Sequence, residues 1–312
     1  MAESLNNELV DALILDRKRD RRWRNIRFFI MVLFALLYTF LLVSPSQQDA
    51  DEPGFNPKKP YVSLVRLNGE IAEDKSFSAN KVVPLLTRAF ADKQSKGVVL
   101  AINSPGGSPV QASIIHDKIL YLKNKYPKKK VTVVASDALA SGAYLVATAA
   151  DKIYVNEDTL TGSIGVIMSG FGFEDTLKKI GVTRRLFTAG KNKARMDPFE
   201  PLNPADVAKM RTVLDDVHQH FINDVVQGRK NKLRGNPSEL FSGDFWIGDR
   251  AVELGIADGI ANVWEVLKSD YNVTQYKNFS PRPSFLNAFV KGVDSELNLG
   301  LTHETSPLRE EL

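Results

Sequence analysis

From Tyr61 to Glu157 the sequence alternates between two hydrophobic periods, and this alternation restricts the fold more than any other feature. "YVSLVRLNGEI" is β-branched and alternating, and "ANKVVPLLTRAFADKQ" carries Val83, Leu86 and Phe90 at helical spacing. "GVVLAIN" is a continuous apolar run of the kind a strand buried on both faces shows, and "SPVQASIIHDKILYLKNKYP" returns to helical spacing through Val110, Ile114 and Leu120. "VTVVAS" and "DKIYVNE" read as further strands, separated by an alanine-rich helix that starts beside Ser141. Strands and helices in turn, joined by short connections, predict an α/β domain of repeated βαβ units with right-handed crossovers.

Beyond this region, Asn203 is an N-cap residue, Pro204 suits the first helical position and Asp206 the first turn, so a long amphipathic helix starts there. Val207, Met210, Leu214, Val217, Phe221 and Val225 form its apolar stripe. "RRLF", residues 184–187, reads as strand-like. "FSGDFWIGDRAVELGIADGI" reads as a turn and short helix that close the domain near residues 261–267.

The net charge of +4 is concentrated rather than spread, with "DRKRDRRWRNIR" (residues 16–27) holding much of the excess, so no nucleic-acid partner is expected. "FFIMVLFALLYTFLLV" follows, an uncharged run of about 16 residues that spans roughly 24 Å as a helix. Arginines on its N-terminal side predict an uncleaved single-pass anchor with a cytoplasmic N-terminus. A secretory signal peptide is the competing reading; the long, acid-containing leader and the proline in "VSPSQQDA" argue against it. The expected plan is a cytoplasmic basic segment (1–27), a transmembrane anchor (28–44), a linker (45–60), a catalytic domain (61–267) and a poorly ordered extension (268–312).

The absence of cysteine removes disulfides, thiol nucleophiles and cysteine-based zinc sites. There is no HExxH motif, no Walker loop and no GxGxxG after a strand, so no metal or other cofactor is expected. Of the four histidines, His116 lies within a helix, His303 in the tail, and His218 and His220 stand two apart on the long helix, off a common face. A serine and histidine pair stays open, although no histidine falls in a loop shaped for catalysis.

Two loops look built for chemistry. In "INSPGGS" paired glycines between strand and helix permit a tight turn with unshielded N–H groups. Ser141 follows a strand and opens a helix with Gly142 beside it, a placement that serves either as a cap or as a nucleophile with an adjacent oxyanion donor. A serine hydroxyl needs a base, and a lysine amine kept neutral by burial can be one. "TAGKNKARMDPFEPLNP" supplies Lys191 and Lys193.

"INSPGGS", "SDALASGAYLVATAADKIYV", "LTGSIGVI", "AGKNKA" and "GDFWIGDRAVELGIADGI" occur in the order and spacing of the SppA/SohB family of membrane-bound signal peptide peptidases, which the chain resembles across residues 61–267. The resemblance implies a ClpP/crotonase-like fold behind one N-terminal transmembrane helix. It implies a serine and lysine dyad: Ser141 as nucleophile, Lys193 as general base, Ser163 orienting that lysine, and the amides of Gly107 and Gly142 as the oxyanion hole. It also implies a homo-oligomeric ring in which neighbouring protomers share each site. The implied substrates are remnant signal peptides and other hydrophobic membrane-associated peptides, cut after small or apolar residues in grooves near the bilayer, on the periplasmic side of a bacterial inner membrane. The sequence departs from the family at Asn192, at Ala194 and in "RMDP" before Phe199, which bears on the loop around Lys193. A catalytically silent scaffold of the same fold is the alternative, and a crotonase-like acyl-CoA enzyme a third reading.

Overall fold

A computed structural model describes residues 21–35 and 55–280. The chain divides into two compact units, Met1–Ala50 and Asp51–Leu312. In the first, residues 21–35 form helix α1. Of the expected membrane-crossing run, residues 28–35 belong to α1, and residues 36–43 lie outside the described residues. Among the described residues no helix is long and apolar enough to cross a membrane.

The second unit runs β1 (Tyr61–Asn68), α2 (Ala79–Ala91), β2 (Ser95–Ser104), α3 (Pro109–Lys125), β3 (Lys130–Ala140), α4 (Gly142–Thr148), β4 (Lys152–Val155) and β5 (Leu160–Gly162). It continues through α5 (Glu174–Lys179), α6 (Pro204–Arg229), α7 (Pro237–Leu240), β6 (Phe245–Trp246), α8 (Gly248–Glu253), β7 (Gly259–Ile260), α9 (Val263–Ser269) and β8 (Tyr276–Asn278). The sheet order is β6-β5-β3-β2-β1-β8, with β4 bridging β3 and β7. Every ladder is parallel except β5 with β6. The alternation from β1 to β4 thus yields a mostly parallel sheet, as parallel neighbours joined by crossover helices require. The sheet extends past Leu267, because β8 pairs with β1.

Side chains on the two sheet faces build two core clusters. Val65 and Leu67 of β1 face α2, α3 and α4, whereas Val62 and Leu64 face Val266 and Leu267 of α9. Helix starts follow their caps: Asn203 accepts from the Ala205 N–H at 2.9 Å and α6 begins at Pro204, while Ser108 accepts from Gln111 ahead of α3.

Two features of this scaffold position the site. First, one edge of β3 is shared: residues 132–134 pair with β4 and residues 138–140 with β5. Second, α4 is buried along its whole length, and its Tyr144 hydroxyl donates to the Ile256 carbonyl at 2.9 Å. The strand expected at residues 184–187 is absent. That stretch is exposed and has no ladder partner, so a β-like composition has nothing to pair with.

Candidate active site

The split edge of β3 sets the position of Ser141. Ala140 pairs with Gly162 of β5, and the next residue on each strand, Ser141 and Ser163, turns sharply with φ of 53° and 48°. The Ser141 N–H donates to the Gly162 carbonyl at 2.9 Å, and the Ser163 N–H to the Asp244 carbonyl at 2.7 Å. A non-glycine residue at positive φ is strained, and strain of this kind persists only where the surroundings enforce it. Here buried α4 on one side and the β3–β5 ladder on the other leave Ser141 at the helix tip.

The SPGG turn closes over the same tip. The Ile71 N–H donates to the Gly106 carbonyl and the Ser108 N–H to the Ile71 carbonyl, both at 2.8 Å. In this parallel bridge the intervening Gly107 amide points away from Ile71, toward the start of α4. A Cβ added to Gly142 would lie 3.4 Å from the Gly107 oxygen and 3.5 Å from its nitrogen, so the backbones of the two glycines approach one another at the start of α4. Neither glycine of the SPGG turn tolerates a side chain: at Gly106 (φ 99°) a Cβ would meet the Ser141 Cβ at 2.7 Å, and at Gly107 (φ 141°) it would lie 2.2 Å from the Ile71 oxygen.

Ser141, Gly107 and Gly142 line one cavity of about 380 Å³. Its apolar wall comes from Val110 and Ile114 of α3, Leu145 of α4 and Val217 and Phe221 of α6. His220 and Asp224 also line it. Neither residue stood out in the sequence, because the relevant spacing is i and i+4 along α6 and the cavity exists only where α6 meets α4. At that meeting Gly228 allows close contact; a Cβ there would sit 2.3 Å from the Thr148 oxygen. His218, by contrast, bonds through Nε2 to the Ile164 carbonyl at 2.9 Å and is held away as a structural residue.

Ser163 stands next to this cavity but outside its lining, and its carbonyl accepts from Gly165, which does line it. Lys191 and Lys193 are exposed and outside the cavity of their own chain. Their turn is held from both sides: Arg195 pairs with Asp206 at 3.3 Å and donates to Asn192 at 2.9 Å, while Arg184 pairs with Asp197 and lies 4.9 Å over the Phe199 ring. The hydrogen bond from Arg184 and the Phe199 N–H hold the Asp197 carboxyl below its ordinary pKa. Around them residues 167–187 expose large apolar side chains, with Ile167, Phe171 and Phe187 each more than four-fifths exposed. Helix α5 buries none of its residues. No group of metal-ligating side chains occurs among the described residues.

Residues 123–274 match Peptidase family S49, and residues 62–157 match the Clp protease family. An Enterococcus faecium protein described as a signal peptide peptidase SppA is 30% identical over 248 residues, covering 75% of this chain and 71% of that protein. The chain belongs to peptidase family S49. Its SppA-type relatives also include Protease 4 of Haemophilus influenzae, 29% identical over 220 residues, which make up 69% of this chain and 35% of that protein. The Na(+)/H(+) antiporter NhaA of Brucella melitensis is 38% identical over 245 residues, 77% of this chain, yet the chain spans only 33% of that protein's length. The mostly parallel sheet and the match to the Clp protease family agree with a ClpP/crotonase-like fold for this family S49 domain.

Proposed function

We propose that this family S49 chain is a membrane-anchored serine endopeptidase that hydrolyses remnant signal peptides and other hydrophobic peptides on the extracytoplasmic side of a bacterial inner membrane. The observation that carries the reading is Ser141, strained at the tip of buried α4, with Gly107 and Gly142 beside it on one cavity. The Ser141 oxygen attacks the peptide carbonyl, and the two amides take the developing oxyanion. A base accepts the hydroxyl proton and returns it to the leaving amine, and water then hydrolyses the acyl-enzyme.

Lys193 of a neighbouring protomer is the base in this mechanism, oriented by Ser163. The exposure of Lys193 in its own chain supports it, as does the large apolar surface around it, which monomers rarely leave uncovered. A ring of such chains buries that surface and dries the amine. The anchor reading draws support from α1, where arginines 21, 22, 24 and 27 precede the exposed Phe29, Met31, Leu33 and Phe34.

One observation favours a second base: His220 lines the Ser141 cavity within the same chain. A serine-reactive probe on the full chain tells the readings apart. Labelling of wild type that disappears in Ser141→Ala supports the peptidase, and a folded oligomer that never labels supports a silent scaffold. Strong loss in Lys193→Ala, with activity recovered on mixing Ser141→Ala and Lys193→Ala chains, assigns the shared lysine; loss in His220→Gln without such recovery assigns the histidine.

A further inference from the structure

The cavity beside Ser141 holds a charge that the proposed chemistry does not use. Asp224 is half-buried in its wall, and among the described residues no cation or hydrogen-bond donor partners it. The lining contains no lysine or arginine; apart from His220, Asp224 is its one ionisable side chain. A half-buried carboxylate with no partner among these residues is open to a ligand that brings the compensating charge.

Its position along the cavity defines what can reach it. Gly228 rests on Thr148 at the far end of α4. Toward the nucleophile, Leu145 of α4 and His220, Phe221 and Asp224 of α6 share the cavity wall with Ser141 and Gly142. Asp224 stands one helical turn, about 6 Å along α6, beyond His220, and shares one cavity with Ser141. An extended lysyl or arginyl side chain covers that distance with an apolar stem and ends in a cation.

We infer that the cavity is a subsite for a long basic side chain, on the residue that donates the acyl group to Ser141, with its stem along Val110, Ile114, Leu145 and Phe221 and its cation on Asp224. This rests on the peptidase reading and narrows its substrates: hydrophobic peptides are cut after a lysine or arginine that interrupts them. Asp224 is thus a specificity residue for this chain.

The test compares fluorogenic peptides that differ only in lysine, norleucine or glutamate before the cleaved bond, hydrolysed by the full-length chain in detergent. Expected is a wild-type kcat/KM favouring lysine, a fall of at least tenfold in the lysine-to-norleucine ratio in Asp224→Asn, and a shift toward glutamate in Asp224→Lys. Serine-probe labelling of each variant confirms that the site is folded. An unchanged ratio in labelled Asp224→Asn overturns the inference, including the case where all substrates slow equally because Asp224 merely orients the catalytic base. Absence of Ser141-dependent cleavage of any peptide overturns the peptidase reading itself, and this inference with it.

Discussion

The Arg229 guanidinium, 2% exposed, donates to both carboxylate oxygens of Asp258, at 2.7 and 3.2 Å, and to the Gly255 carbonyl at 3.0 and 2.7 Å. It fastens the end of α6 to the segment after α8, and so holds the helix that supplies one wall of the cavity. Replacing it with methionine leaves the Gly255 carbonyl without these donors and the Asp258 carboxylate with only Lys232 and the Ile153 N–H. The expected loss is about 3–5 kcal/mol of stability, read from urea unfolding.

The same pair has a pH signature. Burial opposes ionisation of Asp258, but hydrogen bonds from Arg229 and Lys232 outweigh it and hold the carboxyl below its ordinary pKa. A carboxylate with a lowered folded pKa stabilises the fold above its unfolded pKa of about 3.9 and loses that contribution as pH falls through the folded value. The gap in stability between wild type and Arg229→Met is therefore expected to stay level at neutral pH and to narrow below about pH 4. A gap that widens with acid would contradict the assignment.

Glycines in the SPGG turn and at the helix tip differ in what they tolerate. Gly107→Ala drives a methyl into the Ile71 carbonyl at positive φ, so the turn must move and its amide leaves the cavity. Probe labelling of Ser141 should fall by about two orders of magnitude, the cost of one oxyanion donor. Gly142→Ala meets the Ala112 methyl at 3.3 Å and the Gly107 backbone at 3.4 and 3.5 Å, contacts that need little movement, and should lose far less.

Strain at the nucleophile predicts a stability difference between two inactive variants. Ser141 sits at φ 53°, ψ −126°. Glycine relaxes there and alanine does not, so Ser141→Gly should exceed Ser141→Ala in unfolding free energy by about 1–2 kcal/mol. Equal values would mean that the turn is not strained.

Phe187, 91% exposed, tests the self-association surface. Phe187→Glu should yield smaller species in sedimentation while changing the unfolding free energy of the domain by less than about 0.5 kcal/mol. Retention of the wild-type assembly would place the contact elsewhere.

Much of this architecture could be read directly from the chain. Strands β1 to β4 carry their own periodicity, and Asn203 with Pro204 marks the start of α6 because capping is local chemistry. Residues 184–187 misled because an apolar and aromatic pair after two arginines is only half of a strand; the other half is a neighbour, and the stretch pairs with none. The pairing of Ser141 with Ser163 one residue past a shared ladder rung, and the approach of His220 and Asp224 to that serine, depend on contacts between distant elements. Local spacing along α6 carries no record of which helix lies across it, so Asp224 was invisible until α4 was in place.

Strand β8 closes the edge of β1, the first strand of the domain. On a ribosome or a translocon β1 emerges early, yet that flank stays without a partner until residue 276 has followed. Closure of this edge therefore waits for the last strand, and a chain interrupted before β8 would present an open, adhesive rim to its surroundings.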